Sequence, residues 1–287
     1  MHYKKALQLN NAIIALSVLL YAGIIWRVEI VRYVGVCALG VIISMHIFFA
    51  IGMWKKNHTV ADIAWGLNPV FIAHIAFWMK GEFTVPRVLV LAMVTIWGLR
   101  LATHIYNRSR GHDEDERYKF MRESFKKRGH ALLNSYLRIY LMQSLWVLII
   151  TCPVVLIICS SEKGVVWLYW LGAAVWLFGF LWEVIADYQL KQFLSVEENK
   201  GHMMKKGLWN YTQHPNYFGE ATLWWGVYIM ALNVQGGWLT FFGPFFLTFS
   251  LFYVTGVPLV EKMFRNSDEF VGYQKRTSKF LPWFPKE

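Results

Sequence analysis

Eight apolar stretches, each long enough to cross about 30 Å of hydrocarbon, set what this chain can fold into. They cover roughly residues 10–26, 33–54, 60–79, 86–105, 136–159, 165–187, 217–233 and 237–258. In lipid a backbone N–H or C=O finds no water, so each stretch must satisfy its hydrogen bonds within itself. The spans are therefore predicted to be helices. Composition agrees, with 56% of 287 residues hydrophobic and 16% charged, unlike a soluble domain. The 15 tryptophans suit interfacial belts. The expectation is an all-α, polytopic integral membrane protein with about eight transmembrane helices, or seven. No internal repeat or low-complexity linker divides it, so 1–287 reads as a single membrane domain.

Lysine and arginine orient the spans. With eight helices, the N-terminus, the loops at 55–59, 106–135 and 188–216, and the C-terminal tail share one side. That side carries 22 Lys and Arg, against five on the other: Arg27, Arg32, Lys80, Arg87 and Lys163. The positive-inside rule then puts both termini in the cytoplasm. The net charge of +11 reads as topology, not as a nucleic-acid footprint. Cys37, Cys152 and Cys159 lack ligand spacing and lie in or near apolar spans, which argues against a zinc site or a disulfide framework. The first apolar run lacks a small-residue cleavage site and reads as a span.

Chemistry concentrates in Gly207–Glu220, GLWNYTQHPNYFGE. The residue before proline avoids the helical region and proline fits the first helical position, so a helix is predicted to start at Pro215, after His214. Asn216 and Glu220 then share one face. A carboxylate at the edge of the following apolar run needs a partner, and a helix start attracts anions. Upstream, Glu183, Asp187 and Lys191 form one helical stripe where the sixth span leaves the membrane. Unaided, that stripe reads equally as a solvated helix end. His202, Lys205, Lys206 and Trp209 make a basic loop that suits phosphate or, just as well, anionic headgroups.

Asp62 opens the third span, and Arg100, His104 and Arg108 recur every four residues at the exit of the fourth, with Tyr106 nearby. Intramembrane charge marks function by default. An Asp62–Arg100 structural pair is the competing reading. The acidic run Asp113–Arg117 lacks the His or Gly spacing of a metal loop and is expected to cap a helix or pair with Arg108 and Arg110.

Several segments together resemble the integral-membrane steroid 5-alpha-reductase superfamily, most of all its mostly bacterial DUF1295 branch. They are GLW-x-x-T-x-HPNYFGE, DIAWG at Asp62–Gly66, WGLRLATHIYNR at Trp97–Arg108, DEDERY at Asp113–Tyr118, WEVIADYQLKQF at Trp182–Phe193 and GVPLVEK at Gly256–Lys262. The resemblance implies an NADPH-dependent reductase of a lipophilic enone, steroid- or isoprenoid-like. It implies substrate-side helices in 1–135 and a cofactor half in 136–287. Asn216 and Glu220 would hold the nicotinamide carboxamide, with His214 and Tyr217 in the same motif. Asp187, beside Glu183, would contact the adenosine half, and Lys191, Lys205 and Lys206 the phosphates. Trp209 would stack on adenine or sit in the interface. Glu261, Tyr273 and Arg276 belong to a tail that closes over the cofactor. Asp62, Arg100, His104 and Tyr106 are the candidates for polarising the substrate carbonyl. Gln213 departs from the pattern, which has arginine there. Two alternatives stand: an S-adenosylmethionine-dependent methyltransferase, and a non-catalytic lipid- or cofactor-binding membrane protein. A bacterial inner membrane is favoured over the endoplasmic reticulum.

Overall fold

The structure is a computed structural model that describes residues 8, 11–12, 14–16, 28–127, 129–160, 166–199, 201–264 and 266–286. It is all-α. The helices are α1 (Val28–Lys55), α2 (Val60–Lys80), α3 (Val85–Ser109), α4 (Glu116–Lys127), α5 (Ala131–Ile150), α6 (Cys152–Cys159), α7 (Val166–Leu194), α8 (Pro215–Ala231), α9 (Phe242–Tyr253), α10 (Val257–Met263) and α11 (Asp268–Arg276).

Among the described residues, six helical stretches are long and apolar enough to cross a membrane. They lie in α1, α2, α3, α5, α7 and the run Gly237–Lys262. The chain is thus an integral membrane protein by length and composition of its helices. The count differs from the expected eight for two reasons. The span expected at 10–26 lies largely outside the described residues. The seventh is α8, at 17 residues slightly short of a full crossing. Two predicted spans are also interrupted. The stretch 136–159 breaks at Thr151, before Pro153 starts α6, because proline cannot donate and clashes with the preceding turn. The last span breaks at Val254–Gly256 between α9 and α10.

The helix surfaces fit lipid. On α1, Leu39, Ile43 and Ile47 are each more than half exposed, and on α7 so are Leu177 and Phe178 to nearly the same degree. A water-soluble fold would bury such stripes.

The described chain forms two compact units. One holds Leu20–Gly164 and Val234–Leu239; the other holds Val165–Asn233, Thr240–Glu287 and Met1–Leu19. In the first, α2 packs on α1 and α3. Gly66 and Gly98 let α2 and α3 touch: a Cβ on Gly66 would lie 2.8 Å from Gly98 O and 2.9 Å from Ala102 N.

In the second unit, α7 and α8 make the most extensive helix pairing among the described residues. Their seam is built from glycines seven residues apart on each helix, Gly172 and Gly179 against Gly226 and Gly219. A Cβ on Gly219 would lie 2.5 Å from Glu183 N and 2.7 Å from Gly179 O. One on Gly226 would lie 2.5 Å from Trp176 N. Lipid supplies no hydrophobic drive between helices, so close backbone packing over small residues does the holding.

The charge asymmetry can be checked directly. Reporter fusions after residue 287 and within 106–135 are expected to give a cytoplasmic signal at both places; signals from opposite sides would refute the arrangement.

Candidate functional site

The α7–α8 seam positions the first polar cluster. Glu183 and Asp187 follow Gly179 by one and two turns on α7, so they arrive beside the first turn of α8. There the Asn216 amide donates to Asp187 Oδ1 at 3.2 Å. Glu183 and Asp187 are 3% and 8% exposed, and Glu220 is half-buried one turn beyond Asn216. Buried carboxylates persist only with hydrogen-bonding partners. The cluster therefore gathers Glu183, Asp187, Asn216 and Glu220, all expected from the sequence, at one end of the seam.

His214 stands at the N-cap of α8 with its ring stacked on Tyr217, centroids 5.4 Å apart and planes 11° apart. It is 2% exposed, and its Nε2 is buried with no hydrogen-bond partner among the described residues. Burial, with help from the Lys279 charge, pushes its pKa down to about 4. The ring is thus neutral at physiological pH.

The loop ahead of α8 is fixed on both sides. Gly207 adopts φ +63°, where an added Cβ would run into the Gln189 side chain, and Leu208 N donates to Gln189 Oε1 at 3.0 Å. Trp209 Nε1 donates to Ala186 O at 3.1 Å, bracing the loop against α7. From the other side Tyr273 donates its hydroxyl to Trp209 O, and the tail pairs with the motif. Thr212 and Ser278 form a parallel bridge, Gln213 N donates to Ser278 O at 2.8 Å, and Gln213 Nε2 donates to Thr277 O at 2.7 Å. Gln213, where the resembled family has arginine, is buried and staples the tail.

The basic residues divide. Lys205 Nζ lies 2.6 Å from Glu269, and His202 shares that carboxylate at 3.3 Å. The hydrogen bond from Lys205 holds the Glu269 carboxyl below its ordinary range. Lys191, Lys206 and Arg276 are exposed. Glu261 pairs with Lys279 at 2.7 Å. It also lines a groove of about 370 Å³ with Lys262, Phe270 and Gln274 between α10 and α11, a groove that none of the α7–α8 cluster lines.

The first unit carries its own polar knot. Asp62 accepts from Tyr118 Oη at 2.5 Å and from Arg117 Nη2 at 2.8 Å. Arg117 also bonds Asp115 at 2.9 Å, and Gln143 Nε2 donates to Tyr118 Oη at 3.2 Å. Burial first, then the Asp62 charge, raises the Tyr118 pKa well above its ordinary value, so the hydroxyl keeps its proton. Glu114 accepts from His58 N at 2.8 Å and pairs with Arg122 at 2.9 Å, and Asp115 N donates to Thr59 Oγ1 at 3.0 Å. The acidic run thus docks α4 onto the α1–α2 turn and pairs with Arg117, Lys119 and Arg122. Arg100 and His104 are half-buried on α3, and Tyr106 is exposed. Tyr118 was not expected as a site residue. It ends the DEDERY segment, and its contact with Asp62 spans 56 residues, beyond local pattern.

DUF1295, described as a protein of unknown function, matches residues 48–277. The chain belongs to the DUF1295 family. Other relatives are more distant. An uncharacterized protein of Schizosaccharomyces pombe is 23% identical over 209 residues, 64% of this chain and 60% of that protein. The 3-oxo-5-alpha-steroid 4-dehydrogenase 1 of Homo sapiens is 31% identical over 78 residues, 27% of this chain and 30% of that protein. Its Bos taurus counterpart is 32% identical over 65 residues, 23% and 25% of the two chains. The chain therefore spans less than two thirds of each of these relatives, and under a third of the two dehydrogenases. No solved structure matches it. Within this DUF1295 protein, both polar clusters lie inside the matched range.

Proposed function

We propose that this DUF1295 protein is a membrane-embedded, NADPH-dependent reductase of a lipophilic enone. What carries the proposal is the Asn216–Asp187 contact beside a neutral His214 whose Nε2 is buried with no partner among the described residues. A 3-oxo-5-alpha-steroid 4-dehydrogenase, by its name, interconverts a saturated 3-ketone with its 4-ene. The stretch of similarity to such proteins supports the same chemistry here.

The residues suit a nicotinamide dinucleotide. An amide group needs both an acceptor and a donor, and Glu220 with Asn216 offers both. The Glu183 and Asp187 carboxylates suit ribose hydroxyls and an exocyclic amine. Lys191, Lys206 and Arg276 are exposed for phosphate, whereas Lys205 must first leave Glu269. Trp209 acts as a brace for the loop through its bond to Ala186 O.

The bound cofactor supplies the hydride. In the substrate, hydride adds to the β-carbon, the C=C pair shifts onto the carbonyl oxygen, and the α-carbon takes a proton. A hydrogen-bond donor aimed at that oxygen stabilises the developing charge. Within the first unit, Tyr118 gives its one proton to Asp62 and accepts from Gln143, and Arg117 anchors Asp62, so Tyr118 could serve an oxygen only by giving up its bond to Asp62. Arg100 and His104 are the further candidates along α3.

The three carboxylates at the α7–α8 seam would also suit a cationic sulfonium, so S-adenosylmethionine is the competing ligand. Purified protein in detergent distinguishes them. NADPH at about a hundredfold over its dissociation constant is expected to add about 2.7 kcal/mol, with a smaller effect from S-adenosylmethionine. Asn216→Ala and Glu220→Ala should each weaken NADPH binding by roughly five- to 150-fold, since losing one partner of a buried polar contact costs about 1–3 kcal/mol. The ligand-free melting temperature should stay close to wild type for Glu220→Ala and fall modestly for Asn216→Ala, which takes a hydrogen bond from Asp187. Stabilisation by S-adenosylmethionine alone, or unchanged NADPH affinity in both variants, would overturn the proposal.

A further inference from the structure

The tail after α11 runs through KFLPWFPK at 279–286, and it is both fixed and apolar on its outside. Phe280 is 6% exposed. It packs between Phe218, in the first turn of α8, and Phe252, in the last turn of α9, with centroids at 6.4 and 5.4 Å. The following residues face outward: Leu281 is 68%, Trp283 72% and Phe284 76% exposed. They are not loose. Trp283 N donates to Tyr211 O at 3.0 Å and Lys286 N to Arg276 O at 2.8 Å. Phe284 packs edge-on against Tyr211, and Pro282 and Pro285 keep the segment out of a helix.

Phe280 sets the level of this segment. Ahead of Phe218 the chain is polar loop, and behind it is apolar helix; just after Phe252, α9 breaks. Three large apolar side chains thus sit where α8 and α9 meet the edge of the hydrocarbon. Their charged neighbours are Lys275, Arg276 and Lys286, all exposed, with Lys279 paired to Glu261 and Glu287 the one acidic residue from 275 onward. Aromatic side chains ringed by cations at that depth match an anionic headgroup layer, where the rings bury and the cations meet phosphate.

We propose that Leu281–Phe284 is an interfacial anchor seated in an anionic phospholipid surface. Trp283 bonds Tyr211, and the adjoining Thr277–Phe280 bond Thr212 and Gln213, so the anchored tail holds the loop that leads into α8. Lipid charge then governs how firmly that loop is fixed, whatever ligand the α7–α8 cluster takes.

Two measurements on the full chain in nanodiscs test this. A nitroxide on Trp283→Cys, read against identically treated wild type with its three native cysteines, reports depth from its accessibility to oxygen and to a nickel chelate. In phosphatidylcholine–phosphatidylglycerol discs, oxygen should relax it more than nickel does. That ratio should fall at least twofold in phosphatidylcholine alone, and Lys275→Gln with Lys286→Gln should reproduce the fall in anionic discs. Full nickel accessibility in both discs, or burial in detergent that depends on protein concentration and so marks a second copy, would overturn the anchor. Amide exchange tests the coupling. A variant with Leu281, Trp283 and Phe284 all changed to Ser should exchange at residues 211–214 at least tenfold faster in anionic discs. Unchanged protection along α7 would show that it still folds. Unaltered exchange at 211–214 would sink the coupling.

Discussion

Gly219→Ala should lower the stability of this protein by about 3 kcal/mol, although it adds one methyl group. Overpacking usually costs about 1–3 kcal/mol, and this position belongs at the upper end. The new Cβ would land 2.5 Å from Glu183 N and 2.7 Å from Gly179 O. Both are backbone atoms of the facing helix, so no side chain can swing aside. The helices must separate, and close contact is what holds them in lipid. Separation also draws Asn216 away from Asp187, so ligand binding should weaken along with stability. Gly226→Ala should behave similarly, with its Cβ 2.5 Å from Trp176 N. Gly272→Ala on α11 is the control, since nothing lies within 4 Å of its Cβ. There a helix-favouring residue should be neutral or mildly stabilising. Thermal unfolding in one detergent compares the three, and a wild-type melting temperature for Gly219→Ala would refute the seam.

Acidification should destabilise the wild type in a way that His214→Gln does not share. His214 titrates near 4 in the fold against about 6.5 in an unfolded chain. Between those values the unfolded chain binds more protons, so stability rises with pH across that window. The neutral ring's contribution is therefore complete above about pH 6.5 and lost as the pH falls toward 4. At the lower limit the loss is roughly 3 kcal/mol, at about 1.4 kcal/mol per pKa unit. Carboxylates titrate over the same range, so the informative quantity is the difference between wild type and variant. Parallel stability curves from pH 7 to 4.5 would mean that His214 is not held neutral by burial.

Local rules reached the elements that local physics controls. Pro215 begins α8 as expected, because a proline at the first helical position loses no hydrogen bond. Glu183 and Asp187 share a face as the helical period requires, and that face meets Asn216. The breaks at Thr151 and at Val254–Gly256 divided stretches that hydropathy joined. Pro153 and Gly256 mark these places in the sequence, but apolar length alone does not register them. The seam glycines were equally visible at 172, 179, 219 and 226. A hydropathy pattern assigns glycine no role, and its value appears only when a second backbone arrives. Partners were the least legible. Lys205 is committed to Glu269 and Trp209 to Ala186 O, and Asp62 to Tyr118 and Arg117. Those pairings depend on how distant segments dock, which no spacing rule encodes.

The start of α5 is wound as a π-helix over Tyr136–Leu141, each turn one residue wider than in an ordinary helix. Tyr136 lies at its beginning and bonds His46 at 2.9 Å; Gln143 lies just past its end and reaches Tyr118 at 3.2 Å. Wound as an ordinary helix with the same residues, the stretch would turn one flank against the other by about 100°, and both contacts could not form. The wide turn absorbs the extra residue. A homologue one residue shorter between these positions can therefore keep both the hold on α1 and the grip on the tyrosine beside Asp62 only by winding this stretch as an ordinary helix.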